Sequence, residues 1–256
     1  MIHNEILAYR QIMSQLVMQQ LLTRYRRTIF GYVWTVLNPL LMMAITAIVF
    51  SHIFRFGLRE YAIFLLSGTV PWTLFSNCLT QAGGAIVANE GLLKKVYIPK
   101  IIFPVSTATG NLLDSLFSLV ALFVIAFFLG AKLSVALAFL PVAFLILYVF
   151  ALGLALILSV VMVYFRDMQH LIGVMLQAWF FVTPIMYQLD AVSPILRQII
   201  VFNPMVYFID LFRFPIYSAT FPTMQTIGVA AGLAAVSFLV GLKIFRLYEN
   251  KLIFRL

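Results

Sequence analysis

Charge is scarce in this chain. Only 10% of its 256 residues are Asp, Glu, Lys or Arg, where a soluble domain carries about 25%. Acids are the scarcer kind, 8 against 17 basic residues, which leaves a net charge of +9. With 64% hydrophobic residues, no soluble fold of this length could hide its apolar surface, so the class is a polytopic, all-α membrane protein. A closed β-barrel is excluded because the apolar runs are continuous and do not alternate at every second residue. The single cysteine, Cys78, lies in an apolar run, so no disulfide framework or cysteine metal cluster can form. His3, His52 and His170 are far apart and lack metal-ligand spacing, so no metal site is expected. There is no G-x-x-x-x-G-K-[ST] loop for ATP, and no H-E-x-x-H, G-x-S-x-G or plausible acid pair for hydrolysis. Polar residues recur through Met1 to Thr23, so no signal-peptide core is expected there.

The basic residues flank apolar spans and do not gather in one patch, which argues for membrane topology and against nucleic acid as a partner. The stretch RYRRTIFGYVWTVLNPL, residues 24–40, shows the pattern most clearly. Arg24, Arg26 and Arg27 surround Tyr25, and no further charge appears until Arg55. A charge at the bilayer centre costs roughly 2.5–3.5 kcal/mol, so the arginines mark the headgroups and Trp34 falls near the aromatic belt. Upstream, Ile6, Tyr9, Met13, Leu16 and Val17 share one helical stripe, with Arg10, Gln11, Ser14, Gln15 and Gln19 largely opposite. That period predicts an amphipathic helix over about 1–28, lying in the membrane interface.

Six transmembrane spans are expected, at about 29–54, 61–82, 104–129, 135–163, 171–189 and 224–245, within a transmembrane domain of 29–256. Pro39 lies inside the first span, and Gly68, Pro71 and Trp72 predict a kink in the second. Residues 133–165 are uncharged. A helix of that length reaches ~50 Å, too short for two crossings of a ~30 Å core plus a turn, so it is one span, with Pro141 dividing off an interfacial piece. Between Pro184 and Pro222 lie five of the ten prolines, and the apolar pieces there are too short to cross. They read as re-entrant or interfacial half-helices, which require backbone buried in protein or facing water. Placing both termini, the 83–103 loop and the 164–170 loop on one side puts 12 of the 17 Lys and Arg there, so both termini are expected to be cytoplasmic.

Intramembrane charge is limited to Asp114. It reads either as a structural group satisfied by Asn111, Ser115 or another helix, or as part of a transport pathway. A proton-driven pump would need more such groups, so energy is expected to arrive from outside the membrane, through a partner docked on the short mixed-charge cytoplasmic breaks. Aromatic residues make up 15% of the chain. Those on the fifth span, among them Trp179, Phe180, Phe181 and Tyr187, read either as packing or as a surface that stacks on sugar rings.

RYRRTIFGYVWTVLNPLL (24–41), FLLSGTVPWTLFSN (64–77), NEGLLKKVYIPKIIFPVS (89–106), YFRDMQHLIGV (164–174), TPIMY (183–187) and NPMVYFIDLFR (203–213) occur in this order over nearly the whole chain. Together they resemble the permease subunits of type-2 ABC exporters for cell-surface polysaccharides, most closely the lipopolysaccharide O-antigen exporters. The resemblance implies a homodimer of the six-helix subunit with two separate ATPase subunits, which hold ATP and Mg, so this chain is no enzyme and has no cofactor of its own. It implies export of undecaprenyl-pyrophosphate-linked polysaccharide across the bacterial inner membrane. Carried onto this sequence, the interface helix would hold Arg10, Arg24, Arg26 and Arg27. The first coupling helix would run from Glu90 to Tyr97 with Lys94 and Lys95, and Arg166 and Asp167 would make the second ATPase contact. Spans one and five would line the channel, with Trp34, Pro39, Trp179, Phe180 and Tyr187 as lining residues. Asp190, Arg197, Asp210 and Arg213 would belong to a periplasmic gate over about 190–222.

Capsule and teichoic acid exporters are close relatives of that group, and exporters of lipids or drugs share its fold. A polyprenyl-linked glycan transferase or polymerase is the competing class. It would need a cluster of polar catalytic groups, and the chain offers only isolated acids.

Overall fold

The computed structural model describes residues 2–24, 34–54, 57–95, 98–128, 134–189, 192–253 and 255. Every regular element among them is helical. Helix α1 spans Ile2–Arg24, α2 Trp34–Phe54, and α3 Leu58–Asn77, which widens into a π-turn at Cys78–Ala82. Two four-residue helices follow, α4 at Ala85–Ala88 and α5 at Glu90–Leu93. Helix α6 spans Ile102–Phe128, a 3₁₀ turn at Val135–Phe139 leads into α7 at Leu140–Tyr164, and α8 covers Met168–Val182. Then come α9 at Pro194–Val201, α10 at Pro204–Arg213 with a π-turn at Phe214–Ser218, and α11 at Met224–Leu252.

Three of these stretches are long and apolar enough to cross a membrane: Leu58–Ala82, Val135–Tyr164 and Met224–Leu252. Ala44–Ile53 and Met168–Val182 are shorter apolar helices.

The deepest packing joins α7 to α11. A Cβ on Gly153 would overlap the backbone of Ser237 and Phe238, and one on Gly241 would overlap the carbonyl of Gly153. Ala230 and Ala234 continue the small, buried stripe along α11. The Ser237 hydroxyl donates across the seam to the Phe150 carbonyl at 3.1 Å. Small residues allow this approach, which in an apolar solvent replaces the missing hydrophobic drive with dispersion contacts. From that seam a series of rings runs across the molecule. Phe208 stacks on Phe150 at 4.3 Å, Phe150 on Phe75 at 5.8 Å, and Phe75 meets Trp179 edge-on at 5.3 Å. The short helix α10 is therefore a core element, with Met205, Phe208, Ile209, Leu211 and Phe212 fully buried.

Along α1, Tyr9, Ile12, Met13 and Leu16 pack half-buried against the core, while Arg10, Gln11, Ser14, Gln15 and Gln19 are exposed. Gln20 lies where a Cβ on Gly110 of α6 would stand, 2.8 Å from that position.

Several boundaries differ from the sequence reading. Helix α8 stops at Val182, not near residue 189, because Thr183 precedes Pro184 and takes extended backbone, φ −92° and ψ 131°. The uncharged run after residue 133 gives one stretch of membrane-crossing length, Val135–Tyr164, as expected. Its division falls before Leu140, with Pro141 in the first turn of α7, where a missing N–H costs nothing. Helix α3 continues through Gly68 and Pro71, and its irregularity comes later, at the π-turn. Gly83 closes that turn, since a Cβ there would overlap the Leu79 carbonyl. The helix around Glu90 is one turn long and ends at Leu93, short of Tyr97.

Candidate functional site

The recurring motifs of the sequence meet in pairs. At one place NEGLLKK touches YFRDMQH. Glu90, in the single turn of α5, accepts from Lys94 Nζ on Oε1 at 2.6 Å and from Arg166 Nη2 on Oε2 at 3.3 Å. Arg166 sits in the turn between α7 and α8, where Phe165 ends α7 in extended backbone. The Lys94 hydrogen bond and the charges of Lys94 and Arg166 hold the Glu90 carboxyl below its ordinary pKa. All three groups face solvent, so the pairs add little to stability and their value lies in position. Lys95 and Asp167 are exposed beside them.

At a second place TPIMY, NPMVYFIDLFR and FLLSGTVPW come together around the turn after α8. The Tyr61 hydroxyl, from the start of α3, donates to the Met186 carbonyl at 2.7 Å. Arg213, at the end of α10, donates through Nη2 to the Pro184 carbonyl at 2.8 Å and lays its guanidinium over the Phe64 ring at 4.0 Å. Gly68 makes room, because a Cβ there would sit 3.1 Å from Ile185 Cγ2 and 3.2 Å from Arg213 Nη2. Asn203 Oδ1 accepts from the Trp179 indole at 2.8 Å and from the Met205 amide at 3.0 Å, while its Nδ2 donates to Thr183 Oγ1 at 2.9 Å. The unwound backbone of residues 183–187 thus finds partners on α3 and α10.

Between these places α3 and α8 enclose a groove of about 320 Å³ lined by Trp72, Ser76, Asn77, Thr80, Gly173, Leu176, Gln177, Phe180 and Phe181. Its chemistry is mixed, with flat rings beside two amides and two hydroxyls.

Of the expected channel residues, Phe180 lines this groove. Trp179 turns inward to Asn203 and the ring series, and Tyr187 donates to the Phe181 and Val182 carbonyls at 3.1 and 3.3 Å, closing the end of α8. Trp34 begins α2, half-buried, and Pro39 lies within the same helix, its side chain outside the described residues. Of the expected gate residues, Arg197 is exposed on α9, and Asp210 stands half-buried one turn before Arg213. Arg10 is exposed on α1 and Arg24 ends it, the side chain of Arg24 lying outside the described residues. Arg26, Arg27, Tyr97 and Asp190 also lie outside them. Asp114 is buried on α6 with Asn111 and Ser115. The sequence reading did not single out Tyr61, Thr183 or Asn203. The Asn-Pro pair was a legible sign that Asn203 caps a helix, which it does.

Among the described residues the chain is all-helical, with three apolar stretches of membrane-crossing length and two clamped breaks, which is the build of a polytopic membrane protein. The family model of the ABC-2 type transporter matches residues 11–217, and the chain belongs to that family. It is 30% identical over 243 residues, 94% of each chain, to the O-antigen export system permease protein RfbA of Myxococcus xanthus. It is 28% identical to the O-antigen export system permease protein RfbA of Klebsiella pneumoniae, over 93% of this chain and 90% of that one. It is 24% identical to the polysialic acid transport protein KpsM of Escherichia coli, over 93% of each.

Proposed function

We propose that this chain is the transmembrane subunit of an ATP-driven exporter that carries lipid-linked polysaccharide of the O-antigen type across the bacterial inner membrane. In this reading α2, α3, α6, α7, α8 and α11 are the six spans, both termini are cytoplasmic, and α1 lies in the interface. Two copies form the conduit, two separate ATPase subunits supply ATP and Mg, and undecaprenyl pyrophosphate carries the polymer. The turn of α5 and the α7–α8 turn take up the ATPase's movement through Lys94, Lys95, Arg166 and Asp167. Residues 190–222 form the periplasmic gate.

The observation that carries the reading is the groove between α3 and α8. Asn77 and Gln177 line it together with Ser76 and Thr80, and on a membrane-spanning helix amides belong on a wet face, not against lipid. Rings and amides together suit a sugar polymer, whose faces stack and whose hydroxyls hydrogen-bond. The similarity to O-antigen permeases over 94% of the chain supports that substrate class. The relative named for polysialic acid transport favours capsular polysaccharide as the second reading, at lower identity.

The test is a strain lacking this gene. Surface polymer disappears and the lipid-linked polymer accumulates on the cytoplasmic side, and the purified chain brings down an ATPase. Unchanged surface polymer sinks the proposal, and nucleotide-sugar turnover by the purified chain alone would move it to the enzyme class.

A further inference from the structure

Helix α8 is held by polar contacts at both ends and, between them, packs only lightly on the rest of this chain, through Ile172, Leu176 and the Phe180 ring on Trp72 at 5.6 Å. Leu176 alone is buried along its 15 residues. Val174, Met175 and Phe181 are more than half exposed, and a Cβ on Gly173 would have no neighbour within 4 Å. The first end follows Arg166, which a solvent-facing ion pair ties to Glu90 at 3.3 Å. The last end enters a buried ring of hydrogen bonds with a different character. Asn203 and Thr183 are 7% and 0% exposed, and the Thr183 hydroxyl, besides accepting from Asn203, donates to the Trp179 carbonyl at 2.7 Å. One side chain, Asn203, satisfies two donors with its oxygen and one acceptor with its nitrogen, so a single amide orientation fits. It also caps α10, whose buried rings tie it to α7.

We infer that Asn203 is a positioning residue, the fixed point about which α8 turns when load arrives at its Arg166 end. A dry, fully paired junction opens at far greater cost than a wet ion pair, so a displacement of α8 is taken up at the weak end while the Trp179 end stays in place. Few contacts within this chain hold the middle of α8, so the wall of the groove moves relative to α3 without unseating α10. The inference rests on the transport reading above.

Hydrogen exchange on the full transporter, this chain with its ATPase, with and without bound nucleotide, tests the pivot without requiring export. Amides of residues 168–177 change their exchange with nucleotide, while those of Thr183, Asn203 and Met205 stay slow in both states. Opening of all of them together overturns the inference. In proteoliposomes, Trp179→Phe keeps the ring and removes the indole donor, and Asn203→Leu removes the whole junction. Both are expected to bind the ATPase and hydrolyse ATP within about twofold of the parent while exporting polymer about tenfold less. Export falling only in proportion to ATP hydrolysis, or full export by Trp179→Phe, overturns the inference. Absence of export by the parent chain with its ATPase would instead defeat the transport reading, and the exchange pattern would still decide the pivot.

Discussion

Ala219 ends the π-turn after α10 with φ 57° and ψ 27°, the left-handed region that a side chain occupies at a cost of roughly 1–2 kcal/mol. Its carbonyl accepts from Ser134 Oγ at 2.9 Å, which fixes the start of the 3₁₀ turn that leads into α7. Ala219→Gly is therefore expected to stabilise the fold by about 0.5–1 kcal/mol, read as a higher unfolding midpoint in detergent. The Gly153–Gly241 contact predicts the opposite for added bulk. Gly241→Leu separates α7 from α11 and is expected to abolish the monodisperse folded peak, whereas Gly232→Leu, on an open face of the same helix, leaves it intact. Neither position was legible in the sequence. Both α7 and α11 carry several small residues, and only the crossing distinguishes those that touch backbone. Asn203 was half legible, since its capping role is local and its bond to Trp179, 24 residues away, is tertiary.

At the scale of elements, Glu90 joins two turns that are 76 residues apart in the chain. Reversing one charge, Glu90→Lys, is expected to lower the ATPase's stimulation by substrate several-fold, while Glu90→Lys with Arg166→Glu recovers part of it, as read in a double-mutant cycle. The pH dependence follows from the same contacts. The carboxyl is held below its ordinary value, so the tie is complete above the unfolded carboxylate pKa of about 4.3 and is lost as pH falls through the lower folded value. Coupling should accordingly not vary through this group between about pH 6 and pH 8. Glu90→Gln weakens the tie across that whole range. The helices themselves were largely legible, because apolar length and charge placement fix where a helix can lie. Their ends were less so. Counting apolar residues carries the fifth span to 189, whereas the helix ends at Val182, where Thr183 before Pro184 takes extended backbone.

For the whole molecule, the order of elements was readable and their pairing was not. α10 reads from its length as an interfacial or re-entrant half-helix, and it proves to be a core element because Phe208 and Phe212 reach Phe150 and Phe144 on α7. The groove was equally hidden, since Asn77 and Gln177 lie 100 residues apart and neither is unusual alone. Its predicted role is open to measurement. Asn77→Leu with Gln177→Leu should preserve assembly with the ATPase and reduce polymer export about tenfold, read as surface polymer per unit of transporter.

The shortness of α8 has a consequence for the surrounding lipid. Its 15 residues rise only about 22 Å, less than the ~30 Å hydrocarbon core. If the helix crosses as proposed, the bilayer must thin beside it, or the turn at 183–187 must lie within acyl-chain depth. The clamp formed by Tyr61, Asn203 and Arg213 makes the second solution possible, because it leaves that turn's polar groups paired within the protein. With that solution, acyl-chain length is expected to act on the transporter, read as export rate in proteoliposomes of different chain length. Thin bilayers wet the turn and loosen the clamp, and thick ones place its hydrogen bonds deeper in hydrocarbon, where they hold most firmly.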